Sequence, residues 1–146
     1  MRVKILFLII FMGVITVSAT AQTTVEVMLA GYNHVPSVST PGTGMIEITV
    51  EGDSLFVSGS FKDLREYYLG AGIHYGKANE SGNELYRLSA ELNEEKTGGV
   101  FKAEENRFEL REAQKEALRN GRMYINVRSN KNRSGEIRGQ IPPLNI

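Results

Sequence analysis

The sequence has no cysteine and no tryptophan, only four prolines, and no excess of charge of either sign, since 17 basic residues balance 17 acidic ones. Without cysteine there is no disulfide, thiolate metal site, iron–sulfur cluster, cysteine nucleophile or thioether lipid anchor. Without a basic excess the chain lacks the electrostatic footprint of a general nucleic-acid binder. The remaining composition, 41% hydrophobic and 23% charged, is that of an ordinary globular protein and argues against wholesale disorder. A length of 146 residues gives one domain with one core.

Long apolar runs are scarce too. Arg2 and Lys4 precede an unbroken apolar stretch from Ile5 to Ile15, and Ser18-Ala19-Thr20-Ala21 supplies small residues in the Ala-x-Ala pattern. A basic start, a short apolar run and a small-residue exit predict a secretory signal peptide, residues 1–21, cleaved after Ala21. About 20 apolar residues are needed to span a bilayer, and this run is shorter. The expected product is therefore secreted or periplasmic: a single domain, Gln22–Ile146, with no membrane span. Loss of Arg2 and Lys4 leaves 15 basic against 17 acidic residues. Residues 22–60 hold four acids and no base, whereas residues 121–146 hold five bases and only Glu136 as an acid.

Along the remaining chain, period-two alternation predicts strands at Val25–Leu29, Met45–Val50, Ser54–Ser58, Leu69–Tyr75, Glu84–Leu92, Met123–Val127 and Glu136–Ile141, with a polar ribbon at Val100–Phe108. Pro36, Pro41, Gly42 and Gly44 mark the Gly31–Gly44 stretch as a loop. One helix is expected at Arg111–Asn120, where Leu110, Ala113, Ala117 and Leu118 share a stripe of the 3.6-residue period and Gly121 provides a stop. About seven or eight strands and one helix predict an all-β fold, an antiparallel sandwich with a short helix near the C-terminus capping one open end. In the final hairpin Met123, Ile125, Val127, Ile137 and Ile141 should face the core. A loop closing about Asn132 would then pair Arg128 with Glu136, Asn126 with Arg138 and Tyr124 with Gln140.

The stretch Leu110-Arg-Glu-Ala-Gln through Asn120-Gly-Arg-Met-Tyr-Ile-Asn-Val-Arg128, followed by Gly135-Glu-Ile-Arg-Gly-Gln-Ile141, closely resembles the CHRD domain family, the repeats first described in chordin. Leu29-Ala-Gly-Tyr-Asn-His-Val-Pro-Ser-Val-Ser-Thr40 is similar to the family's opening loop and Gly72-Ile-His-Tyr-Gly76 to its central His-Ile-His segment. The resemblance covers about Val25 to Ile141 and implies a Greek-key β-sandwich of immunoglobulin-like or superoxide-dismutase-like form. It also implies a metal question. Typical members carry His-x-His in the central segment and a third histidine in an Asn-Val-His strand, a set that could chelate copper or zinc. Here Gly72 and Arg128 stand at two of those three places and only His74 remains.

A single imidazole beside an arginine is a poor metal site, because a guanidinium cannot ligate. His74 is expected to be a structural residue, and His34, in the loop, to be exposed. The adjacent carboxylates Glu94-Glu95 and Glu104-Glu105 are expected in solvated turns, and no nucleophile elbow, phosphate loop, His-Glu-x-x-His or calcium loop is present. Asn79-Glu80-Ser81 and Asn132-Arg133-Ser134 match the glycosylation acceptor pattern, which matters only in a eukaryotic secretory pathway. The favoured reading is a secreted or periplasmic, non-enzymatic module, binding or structural, without a cofactor. Its partner would be a protein or other extracellular ligand. Its candidate surface is the face carrying His74, Tyr124, Asn126, Arg128, Glu136, Arg138 and Gln140. The alternative is a metal-binding protein or metal-dependent enzyme resembling copper–zinc superoxide dismutase, with His74 as a surviving ligand. Carbohydrate binding by exposed tyrosines such as Tyr67 and Tyr68 ranks third.

Overall fold

Apolar–polar alternation becomes strand nearly everywhere it occurs. The computed structural model describes residues 21–146, so the expected leader, residues 1–21, lies outside the described residues except for Ala21. The elements are β1 (Gln22–Ala30), β2 (Thr43–Glu51), β3 (Ser54–Lys62), β4 (Tyr68–Tyr75), β5 (Glu84–Leu88), β6 (Glu91–Leu92), β7 (Gly99–Phe101), β8 (Arg107–Glu109), α1 (Glu112–Arg119), β9 (Met123–Ser129) and β10 (Ile137–Ile141). A single 3-10 turn, Gly31–Asn33, follows β1. No described helix is long and apolar enough to cross a membrane.

The strands are antiparallel and run in the order β5-β4-β9-β10-β1-β2-β3-β7-β6, with β8 also on β3. The fold is thus mostly β, a curled half-barrel sheet with one short helix. Where two separate facing sheets were expected, the ladder is one continuous path. Its halves join where β1 meets β10 at the single register pair Ala30 and Arg138. Gly139 permits that junction: a Cβ there would lie 2.6 Å from Val27 and 2.7 Å from the Met28 carbonyl oxygen. Leu29, Ile46, Ile48, Leu55, Val57, Ile73, Met123, Ile125, Val127, Ile137 and Ile141 are fully buried in one cluster drawn from both halves.

Two expected elements divide. The Glu84–Leu92 alternation does not form one strand, because the buried Asn106 amide takes both backbone groups of Ser89. That interrupts the ladder, so β5 stays on β4 while β6 pairs with β7. The Val100–Phe108 ribbon splits likewise around a turn in which the Asn106 amide donates to the Lys102 carbonyl, leaving two short strands on β3.

The helix forms where the stripe predicts, but only part of the stripe is buried. Leu110, Ala117 and Leu118 are buried, whereas Ala113 is exposed. The helix starts with the Gln114 side chain accepting the Arg111 amide at 2.9 Å. It ends in a Schellman arrangement: Gly121, at φ 60°, donates to Leu118 and Arg122 donates to Ala117. Its neighbours are the β2–β3 turn, where Asp53 accepts from the Leu110 amide, and the C-terminal segment, where Leu144 donates to Leu118.

Candidate functional site

The β9–β10 hairpin has the register expected of it. Asn126 pairs with Arg138 and Tyr124 with Gln140, so the five apolar residues face inward. The expected Arg128–Glu136 pair does not form. Glu136 precedes β10, is fully buried, and accepts from the Ser129 hydroxyl, the Thr40 hydroxyl, the Arg65 amide at 2.8 Å and the Asn132 amide group at 3.2 Å. Burial alone would raise this carboxyl, but the four donors outweigh it and hold Glu136 below its ordinary value. Two loops that cross over the hairpin, at residues 31–42 and 63–67, supply two of those donors. The carboxylate pins them together.

Arg138, two residues on, is also buried, with 2% of its surface exposed. Its guanidinium donates to the carbonyls of Glu80 at 2.8 Å and Lys77 at 2.6 Å and to the Gln140 side chain at 3.3 Å. The Tyr124 ring lies 3.4 Å from its central carbon. Among the described residues no carboxylate is paired with it. Burial lowers its affinity for the proton, opposed only by Tyr124, yet a guanidinium stays charged at any physiological pH. Gln140 is fixed in turn by donating to the carbonyls of Gly76, Gly121 and Met123. Arg138 and Gln140 also line a cavity of about 420 Å³, together with Met28, Tyr32, Asn33, His34, Val35, Ala78 and Asn79.

The face expected to be solvent-exposed is therefore mostly covered. Tyr124, Asn126, Glu136 and Arg138 are buried, since residues 31–42 and 76–83 close over them. His34 was expected to be exposed and is buried, its Nδ1–H donating to the Pro36 carbonyl at 2.9 Å. Tyr67 is exposed as expected, but Tyr68 is half-buried because its ring stacks on Phe61 at 5.2 Å, and burial pushes its hydroxyl up to about 12. Glu94, Glu95, Glu104 and Glu105 are all exposed, in keeping with solvated turns.

A second group lies on β4, β5 and β9. His74 stacks on Tyr124 and its Nδ1–H donates to the Gly82 carbonyl at 3.0 Å. Its Nε2 is sealed from solvent without a hydrogen-bond partner and stands 3.9 Å from Glu84. Arg128 lies over Gly70, where a Cβ would meet its Nη2 at 2.8 Å, and also stands 3.9 Å from Glu84. Because β4 pairs with β9, Gly70 and Gly72 leave a lane in which Arg128 lies toward Glu84 and away from Glu136.

The model of the CHRD domain matches residues 25–141. The chain belongs to the CHRD domain family. No curated protein and no solved structure shows a significant match to it.

Membership sharpens the metal question raised by the central segment. In this CHRD domain the position of Gly72 has no donor, and the space a side chain would enter is already occupied, with Glu84 Oε2 2.7 Å from where a Cβ would sit. Arg128 brings a positive charge to the third position. One imidazole and one carboxylate beside a guanidinium do not make a copper or zinc site. Among the described residues no group of three or more metal-ligating side chains is gathered.

Sequence reasoning missed Glu84, Thr40, Asn33, Tyr32 and Asn79. Tyr32, Asn33, Thr40 and Asn79 lie in loops with no periodic signal of their own, and Glu84 opens a strand whose alternation does not announce its partners on β4 and β9. The usable signal was the charged pair in Gly135-Glu-Ile-Arg138, since two opposite charges flanking a core isoleucine demand buried partners from elsewhere.

Proposed function

We propose that this CHRD domain is an exported, non-enzymatic binding module of the secreted or periplasmic space, whose ligand sits in the cavity that Arg138 lines. One observation carries the reading: a cavity of about 420 Å³ is lined by Tyr32, Asn33, His34, Asn79 and Gln140 together with Arg138, a buried side chain that among the described residues has no carboxylate partner. Burying a charge without its opposite is costly, and folds keep such a group where something else compensates it. The volume falls within the range of small-molecule sites, and the walls mix apolar with a few polar groups as such sites do. Support for the non-enzymatic part is that each histidine commits Nδ1 to a backbone carbonyl and that Glu84 is beyond hydrogen-bond reach of His74. Support for export is the leader-like segment ending at Ala21.

The test is an NMR titration of the labelled domain with a panel of monosaccharides, amino acids and short carboxylic acids. Saturable shifts concentrated at Tyr32–Val35, Lys77–Glu80 and Arg138–Gln140 support the reading. Shifts confined to other surfaces, or chemical turnover of a panel member, overturn it.

A further inference from the structure

We propose that Met28 and Met45 form a reversible oxidation site, which a hydroperoxide converts to methionine sulfoxide in the wall of this cavity. The chemistry belongs to these side chains alone and holds whether or not the cavity takes a ligand. The outward positions of β1 and β2 begin polar: Thr24 bonds Thr49 at 3.0 Å, and Glu26 lies directly opposite Glu47. At the next pair of the same face two methionines stand opposite each other, Met28 with 55% and Met45 with 43% of the surface exposed. Core packing accounts for neither, because the alternating residues Val27, Leu29 and Ile46 take the inward positions. Met123, the other described methionine, is fully buried on β9. Thioether oxidation follows exposure. The fold therefore sorts its methionines into two that an aqueous oxidant reaches and one that it does not.

In the step, a sulfur lone pair attacks the terminal oxygen of the hydroperoxide and the O–O bond breaks. The proton on the transferred oxygen passes to the departing one, which leaves as water or an alcohol. Sulfur loses two electrons and the peroxide gains them. Met28 is the member with a consequence for the cavity. It lines that cavity beside Tyr32 and His34, and with Met45 and Phe61 it also lines a shallower apolar pocket of about 340 Å³. The Tyr32 hydroxyl donates to Met28 Sδ at 3.7 Å. A thioether is a weak acceptor, whereas a sulfoxide is polar. The added oxygen thus offers the same hydroxyl a stronger acceptor and makes a wall shared by two pockets polar. Enzymatic reduction of the sulfoxide restores the thioether.

Mass-spectrometric peptide mapping of the purified protein during exposure to hydrogen peroxide tests this. Met28 and Met45 should each gain one oxygen at least about tenfold faster than Met123. In NMR spectra of the oxidised protein the amides of Tyr32–Val35 should be displaced. Methionine sulfoxide reductases of both epimer specificities, added together, should return them. Met28→Leu keeps an apolar side chain without the sulfur, so peroxide should leave those amides in place in that variant, while Met45→Leu should behave as the parent protein does. The melting temperature should not change on oxidation of the two exposed methionines. Met123 oxidising as fast as Met28 would overturn the site. So would Tyr32–Val35 amides that stay in place when Met28 is oxidised, or that still move in Met28→Leu. A melt lowered by oxidation at Met28 and Met45 alone would show that the fold needs these thioethers, and would overturn the reversible site as well.

Discussion

Glu136 and Arg138 are two residues apart, opposite in charge and both buried, yet the protein treats them differently. Glu136 is surrounded by four donors from Thr40, Arg65, Ser129 and Asn132, and its carboxylate closes a knot between three loops. Arg138 is held by two carbonyls, an amide oxygen and a ring, all neutral, beside an open cavity. A buried charge with a full shell of its own donors stabilises a structure. Both charges are satisfied by neutral dipoles, but those around Glu136 join three loops, whereas Arg138 lines a cavity. That difference separates the knotted end of the hairpin from the end proposed to bind.

The largest test asks what a carboxylate does without such a shell. Leu118 is fully buried on the helix, and Leu118→Asp places a charge there with no donors provided. The expected cost is about 5 kcal/mol, enough to unfold a domain of ordinary stability. A melting temperature unchanged by the substitution would show that burial alone does not penalise a carboxylate here. Next comes the removal of the shelled carboxylate itself. Glu136→Ala strands several buried donors and should cost about 3 kcal/mol by urea denaturation. A loss below about 1 kcal/mol would mean the knot is held by other contacts.

Acid titration separates the two charges further. Glu136 is held below its ordinary value of 4.5, so its contribution is complete above that pH and is lost as the pH falls through the lower folded value. Urea melts from about pH 6 to about pH 3 should therefore show falling stability that Glu136→Gln flattens. Arg138 does not titrate in that range, and no variant of it should alter the slope.

Smaller effects probe the neutral shell around Arg138. The Tyr124 hydroxyl accepts from the Gly82 amide at 3.0 Å, and Tyr124→Phe removes that bond while keeping the ring over the guanidinium. The expected cost is about 1 kcal/mol, with ligand affinity preserved. Smallest of all is Glu84→Gln. Its carboxylate stands 3.9 Å from both Arg128 and His74 and accepts from the Nε–H of the exposed Arg87 at 3.1 Å, a solvent-screened pairing whose loss should stay under about 1 kcal/mol. A larger loss would make this group a third buried charge centre comparable to the other two.

How much of this could be read in advance differs from residue to residue. Met123, Ile125 and Val127 opposite Ile137 and Ile141 were legible, because a period of two fixes faces and the short loop fixes register. The helix was legible from its stripe and from Gly121. Its outer edge was not, since Ala113 is small enough to face either way. The Arg128–Glu136 pair failed because pairing arguments compare a strand only with its hairpin neighbour. The second neighbour of β9 is β4, and its Gly70 and Gly72 opened a path to Glu84 that no local pattern announces.

The sequence by itself determined most of the strands, the helix stop, the hairpin register and the motifs of the CHRD family, all of which depend on residues close together in the chain or on a repeating period. Only the tertiary structure decided where the two buried charges find partners. Thr40 is 96 residues from Glu136 and Arg65 is 71, while Lys77 and Glu80 are 61 and 58 from Arg138. A buried charge needs its partners within about 3 Å in space. It sets no requirement on their distance in sequence, so the pairing follows from how the sheet curls and which loops close over it.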